Sequence, residues 1–446
     1  MRVFLLSLGF IVGGMVFASR VNRGLAEAPA NTVWQTYRRV DWWILSARCT
    51  QERGVLLVAC GPQGQLYPIE DVSPSDDRGH GLVANLVALF QKRPFEKIDI
   101  VRINVWINAV SVTLLALVFL LCGMPWASFL CLIAGAVYGI PGPMASADAQ
   151  ATFFGEYGLA LTPLPWLVQL PRPIVKPWRL SLAASLSWCA LVAAFLLREA
   201  IGLVGLSVAV FVTIVVFIET KPRSTGKIAG FGAILAALLM VASSNMVMLS
   251  IRSRLLSLPP AHLISAHGIF HNVRAGLGTE PNPWGITYDD WNGALAAVKA
   301  NPDATYGTPA YYREVRRQYL DVLTHYPWPV SIIYWKKLKK TLSQPLYFGG
   351  INISWYALGV TLVLPFLWKR SVRSFAAVRV TAAMDVALAI FLLQGVIVRP
   401  MPFFLYPAKF GVLMLLIGLV EAGMSALPDG FSLPDRWSHR RARSSP

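Results

Sequence analysis

Charge is scarce in this chain, and cysteine scarcer still. Only 14% of the 446 residues are Asp, Glu, Lys or Arg, against about 25% in soluble domains. Acidic residues are the rarer sign, 23 against 40 basic, giving a formal net charge of +17. With 55% hydrophobic residues, this shortage excludes an ordinary soluble domain and implies a polytopic membrane protein. A basic balance can signal nucleic acid. Here, though, many basic residues sit in short loops beside apolar runs, where they set membrane orientation, and the others suit anionic lipid or phosphate. No nucleic-acid partner is expected. The five cysteines contain no C-x-x-C spacing, which excludes cysteine zinc and dithiol redox motifs. Cys122, Cys131 and Cys189 lie in or beside apolar runs and suit packing. No P-loop and no H-E-x-x-H occurs.

What the chain has in quantity is apolar length. Val3 to Ser19 follows Arg2 and precedes Arg20 and Arg23. It reads as a retained anchor rather than a signal peptide cleaved near Ala26-Glu27-Ala28, and either way the next segment is exported. Further runs at 103–122, 125–141, 156–170, 179–197, 200–218, 228–249, 351–368, 380–398 and 408–426 predict about ten transmembrane helices, each needing about 20 apolar residues. The run at 156–170 is the weakest, since Pro163 and Pro165 suit a broken or re-entrant element. Basic residues mark the inside loops: Arg172, Lys176 and Arg179; Lys221, Arg223 and Lys227; Lys369, Arg370, Arg373 and Arg379. The short outside turns hold only Arg198 and Arg399. This bias predicts an all-α fold with residues 1–19 as first span, an outer loop at 20–102 and spans within 103–249. A second large outer loop follows at 250–350, then spans within 351–426 and a basic cytoplasmic tail at 427–446.

Within the first loop, Trp42–Cys49 and Val55–Cys60 read as a β-hairpin turning at Gly54. That turn places Cys49 opposite Cys60, either bridged or as two unpaired thiols. An acidic stretch at 67–81 follows, and Leu82–Gln91 has the spacing of a helix along a membrane surface. In the second loop, Asp289 or Asp290 caps a helix through Lys299. Thr308-Pro309 opens another through His325. Trp328–Leu342, with Lys336, Lys337, Lys339 and Lys340, suits a helix in the headgroup plane.

The candidate chemistry collects in the outer loops. Asp76 and Asp77 can hold a divalent cation or act as general base, or else cap the following helix. Glu70 and Asp71 compete with them for the same role, and His80 lies beside them. His267 and His271 are four apart, on one helical face, but a third zinc ligand is missing. With Arg274 and the glycine amides nearby they suit a phosphate better, or simply mark an interfacial helix end. Arg399 and Lys409 flank the last span on the outer side. They join the phosphate-binding candidates, although snorkelling accounts for them too. Asp148 and Glu156 lie in another outside segment, and Asn282, Asp289 and Asp290 complete the substrate-binding candidates. No residues are assigned to a metal.

A first span, a long outer loop bearing an acidic pair, a surface helix before the second span, and about ten spans together resemble the GT-C superfamily of membrane glycosyltransferases. The stretch H-G-I-F-H…G-L-G…N-P-W-G-I…D-D, residues 267–290, is similar to a motif of bacterial members that include arabinofuranosyltransferase-like enzymes. The resemblance implies transfer of a sugar, such as arabinofuranose, from a polyprenyl-phosphate donor to a glycan or protein acceptor. The site would face outward from a bacterial cytoplasmic membrane. Asp76 or Asp77 would be the base, with inversion at the anomeric carbon and Mg or Mn as an optional cofactor. One departure is the hairpin, which puts the acidic pair unusually far from the first span. A lipid-glycan flippase or transporter, and a glycan polymerase or ligase, are the alternatives. A transporter should instead gather its polar residues at mid-membrane.

Overall fold

A computed structural model describes residues 2–33, 39–72, 77–139, 147, 151–166, 176–219, 225–259, 261–263 and 268–343, with isolated positions 396, 413–414, 417–418 and 420–421. The described residues are mostly helical, with one small two-stranded sheet. Among them, Lys97–Leu121, Pro177–Leu197 and Gly232–Leu255 are long and apolar enough to cross a membrane, while Pro125–Val137 and Glu199–Ile214 are apolar but shorter. The expected count of about ten is therefore met by three among the described residues. The expected span 351–368 and nearly all of 380–398 and 408–426 lie outside them.

The bundle is built from α1 (Arg2–Ala26), α5 (Lys97–Leu121), α6 (Pro125–Ala134), α7 (Phe153–Ala160), α8 (Pro177–Leu197), α9 (Glu199–Glu219) and α10 (Thr225–Leu255). α6 ends in a short π-helical segment, Gly135–Gly139. Its core joins Val112 and Phe119 of α5, Ala127 and Cys131 of α6, Phe154 and Tyr157 of α7, and Ala190 and Ala194 of α8. Small residues on α6 and α8 let each of them approach α5 closely. Glu421 accepts from the Ala127 amide at 2.8 Å, so a carboxylate meets the first turn of α6, where the helix dipole favours it.

The run at 156–170 does not form one span. α7 has eight residues, all of them buried, and is about 12 Å long, too short for a hydrocarbon layer of roughly 30 Å. The chain turns at 161–165, where Pro163 and Pro165 remove amide donors and disfavour helix in the residues before them.

The first loop corrects a second expectation. Trp42–Cys49 is not a strand but part of α2 (Arg39–Arg53). Val40, Trp43, Ala47 and Thr50 are buried along one face, a helical period that outweighs the β-propensity of the Trp-Trp-Ile-Leu run. The sheet instead pairs β1 (Val58–Cys60) with β2 (Leu66–Pro68), antiparallel, with Ala59 opposite Tyr67. The Cys49–Cys60 disulfide is present, with Cα atoms 5.4 Å apart, but it ties a helix to a strand. α3 (Ile69–Val72) and α4 (Arg78–Phe90) follow. α4 covers and extends the helix expected at 82–91, burying Gly79, His80, Ala84, Asn85 and Ala88 while Leu86, Val87, Leu89 and Phe90 are exposed.

In the second loop, α11 (Ile269–Leu277), α12 (Asp290–Ala300), α13 (Pro309–His325) and α14 (Pro327–Leu342) pack on one another. The expected caps form: Asp289 accepts from the Asn292 amide, and Thr308 accepts from Tyr311 ahead of Pro309.

Candidate functional site

Contacts from α4 fasten the first loop to one end of the bundle. α4 begins where α8 ends. A Cβ on Gly79 would lie 2.6 Å from the Leu196 carbonyl, so only glycine lets these backbones meet. Asp77 sits at the N-cap position of α4, yet its side chain does not cap the helix. It is fully buried and pairs with Arg39 of α2 at 2.7 Å. The neighbouring Arg78 reaches Glu199 at 3.9 Å, and Asn245 of α10 donates to that carboxylate at 2.9 Å.

His80 lies at the centre of this end. Its ring stacks on Trp43 with centroids 4.8 Å apart. Nδ1 faces the Leu197 carbonyl at 3.2 Å, and Nε2 faces Thr152 Oγ1 at 2.8 Å. Thr152 in turn bonds Glu156 Oε1, and Arg198 Nε lies 3.2 Å from Glu156 Oε2. A carbonyl can only accept, so Nδ1 carries a proton and Nε2 is left for Thr152. Two arrangements then satisfy every atom. In one, a doubly protonated His80 donates to Thr152, which donates to ionised Glu156. In the other, a protonated Glu156 donates to Thr152, which donates to neutral His80. They differ only by one proton moved along the chain. Burial pushes the His80 pKa below its ordinary value, and the Glu156 charge opposes that less strongly.

Further along the same end, Arg252 of α10 grips Glu70 with both terminal nitrogens, at 2.7 and 2.9 Å. The same guanidinium donates to the Leu57 carbonyl at 2.7 Å. Leu57 has φ 57°, a left-handed conformation costly for a branched side chain. It is held there from both sides, because its amide donates to Asn85 at 2.6 Å. Asp71 accepts from the amides of His262 and Leu263. Gly54–Leu57 thereby roof an apolar groove of about 810 Å3 between α8 and α10, walled by Val192, Leu196, Val247, Met248 and Ile251, with Arg252 at the roofed end.

The second loop buries its own cluster. His271 Nδ1 lies 2.6 Å from the Tyr311 hydroxyl, with Tyr306 edge-on at 5.8 Å. Arg274 is buried, and its Nε has no hydrogen-bond partner among the described residues. Burial lowers its pKa, while Tyr311 and Glu314 oppose the shift. Lys337 of α14 donates to the Gly276 carbonyl at 2.9 Å, at the C-terminal turn of α11. Its burial, opposed by Glu280, brings its pKa to about 7. The two loops approach each other at Tyr312, whose phenol is influenced by the Arg78 charge.

Of the residues singled out from sequence, Asp77, His80 and Glu156 share one end of the bundle, with Glu70 and Asp71 beside them. His271 and Arg274 share the second cluster. Asn282 spends its amide inside its own loop, exchanging hydrogen bonds with Ile286, and Asp289 caps α12. Asp76, Asp148, His267, Arg399 and Lys409 lie outside the described residues, as does the Asp290 side chain. Sequence reasoning missed Arg39, Trp43, Thr152 and Arg252, and it read Arg198 only as a topology marker. For Arg198 and Arg252 a signal existed: each sits at the end of a long apolar run, where a charge is costly. Among the described residues no group of three or more His, Cys, Asp or Glu is placed to hold a metal. Compared with known protein families, characterised proteins and solved structures, the chain matches none.

Proposed function

We propose that this chain is a membrane glycosyltransferase that moves a sugar, such as a pentofuranose, from a polyprenyl-phosphate donor to a hydroxyl of a glycan or protein. The observation that carries this reading is an apolar groove between α8 and α10 that runs up to the loop bearing the buried charges. A lipid-linked donor needs that juxtaposition: hydrocarbon for its chain, and cations and carboxylates where its phosphate and sugar begin. Asp76 or Asp77 takes the proton of the acceptor hydroxyl. The acceptor oxygen bonds the anomeric carbon from the far side, the bond from that carbon to the phosphate oxygen breaks, and the lipid phosphate leaves with the electron pair. Arg78 follows the base directly and stands between the two loops, with Nε unpartnered among the described residues. It is suited to receive the leaving phosphate. Arg39 orients Asp77, and Arg274 offers a second cation.

One observation favours transport as a second reading. α7 is a short, wholly buried helix ended by prolines, and broken helices line many transporter sites. Its polar residues nonetheless face the loop-bearing end, through His80 and Arg198. The test uses purified protein with polyprenyl-phosphate pentose or hexose donors and candidate acceptors, comparing wild type with Asp76→Asn and Asp77→Asn. At least one variant should lose transfer by about 100-fold or more. Undiminished transfer in both variants rejects the assigned base. Movement of labelled lipid-linked glycan across proteoliposomes without transfer selects the transporter.

A further inference from the structure

One face of α14 remains uncovered after the second loop has packed. Val330, Ile333, Lys337 and Thr341 are buried against neighbouring helices. The opposite side carries Trp328, 73% exposed, Ile332, and Trp335, 56% exposed. Lys339 lies on the same stripe, its ammonium 5.3 Å from the Trp335 ring centre. Lys336 and Lys340 run alongside, one residue on. None of these three lysines forms a salt bridge among the described residues. Two indoles flanked by three unneutralised ammonium groups make a poor water-facing surface. They match the level of a bilayer where indole rings and lysines are both stable.

We infer that this face of α14 docks onto the anionic headgroups of the membrane that holds the chain, with Trp328 and Trp335 inserted and Lys336, Lys339 and Lys340 on lipid phosphates. Two observations select that occupant. Charge is of one sign along the whole stripe, which complements acidic lipid. The helix is also tethered: it closes at Ser343, and the next apolar run of the sequence begins at Ile351. The seven residues between them span less than about 30 Å, which ties the lysine-rich end closely to that apolar run. This inference is independent of the reaction proposed above. It assigns α14 a lipid preference that would seat the second loop, with His271 and Arg274, at a fixed height.

The test places a nitroxide at Ser331→Cys, on the exposed face, in a Cys189→Ser background, with the full chain reconstituted in vesicles. Accessibility to oxygen and to a neutral nickel chelate is compared in phosphatidylcholine alone and in an equal mixture with phosphatidylglycerol. Docking predicts an oxygen-accessible, nickel-protected label in the anionic vesicles and a shift towards nickel in the neutral ones. Each lysine contributes about five-fold to docking. Lys336→Gln with Lys339→Gln and Lys340→Gln therefore weakens it by on the order of 100-fold, whereas the three Lys→Arg replacements retain it. Equal nickel accessibility in both lipids overturns the inference, as does a triple glutamine variant that behaves like the parent. A label shielded from both reagents also overturns it, because protein then covers the face.

Discussion

The two loop clusters use similar residues to opposite ends. Each buries a histidine beside a threonine or tyrosine hydroxyl, with an arginine nearby. In the first, carboxylates answer the cations: Asp77 meets Arg39, Glu70 meets Arg252 and Glu156 meets Arg198. Each of these pairs joins elements distant in sequence, and two end on bundle helices or the turn between them. In the second, His271 and Arg274 sit among Tyr306 and Tyr311 within a few short helices. The first cluster thus depends on the bundle for its charge balance. The second depends on its own packing, and it keeps a cation whose buried Nε has no hydrogen-bond partner among the described residues. One cluster is welded to the bundle; the other is a cationic box packed within its own helices.

Removing one side of a welded pair should give the largest effect. Arg198→Leu leaves Glu156 buried without its cation, a cost of about 3–5 kcal/mol. We expect thermal unfolding of the purified protein to shift strongly downward, with Glu156→Gln partly restoring Arg198→Leu. An unchanged midpoint would show that the pair is not structural. Next, reducing the Cys49–Cys60 bridge or replacing both cysteines by Ala should cost about 3 kcal/mol for a loop of this size. Because the bridge flanks the roof at Gly54–Leu57, hydrogen exchange should rise there and stay unchanged across α11–α13.

The cationic box predicts a pH response. Lys337 has a folded pKa lowered to about 7 from 10.5. Below pH 7 both folded and unfolded forms hold the proton, and the cost of burying the ammonium is fully present. Between about 7 and 10.5 the unfolded form binds more protons, so stability rises with pH, by up to about 1.4 kcal/mol per unit. Local unfolding of α14, followed by hydrogen exchange corrected for intrinsic rates, should become less frequent over that window. Lys337→Met should flatten the response. The smallest expected change is Tyr311→Phe, which removes the hydroxyl bonded to His271 and should cost about 1 kcal/mol. Exchange should then increase in α11 and α13 while the first loop is untouched. A uniform increase across the whole chain would argue against two separately stabilised regions.

Local signals were readable in sequence, whereas long-range ones were not. Asp289 and Thr308-Pro309 start helices because capping is settled within three or four residues. The Cys49–Cys60 bridge was one of two readings that the sequence left open, and it forms through another element than the expected strand: residues 42–49 carry β-forming side chains but bury them at helical spacing. The prolines that break 156–170 were visible, but not how short α7 would be. The charge pairs are another matter. Arg39 and Asp77 are 38 positions apart, and Glu70 and Arg252 are 182 apart, so no periodicity could connect them. His80 looked like one more polar residue in an acidic loop. Only the approach of α4 to the end of α8, through Gly79, turns it into the middle of a hydrogen-bonded chain.

The Glu70–Arg252 pair carries a consequence for how the protein is made. Translation proceeds at about 5–20 residues per second. The carboxylate therefore waits on the order of ten to forty seconds before its arginine leaves the ribosome. During that interval the Leu57 carbonyl also lacks its guanidinium donor, and the roof is shaped by the disulfide, by Asn85 and by local bonds such as that from Thr50 to the Val55 carbonyl. Chains arrested before residue 252 should expose Glu70 to proteases that the finished protein resists. Arrival of α10 is thus the step that closes the groove, making its completion a checkpoint in biogenesis.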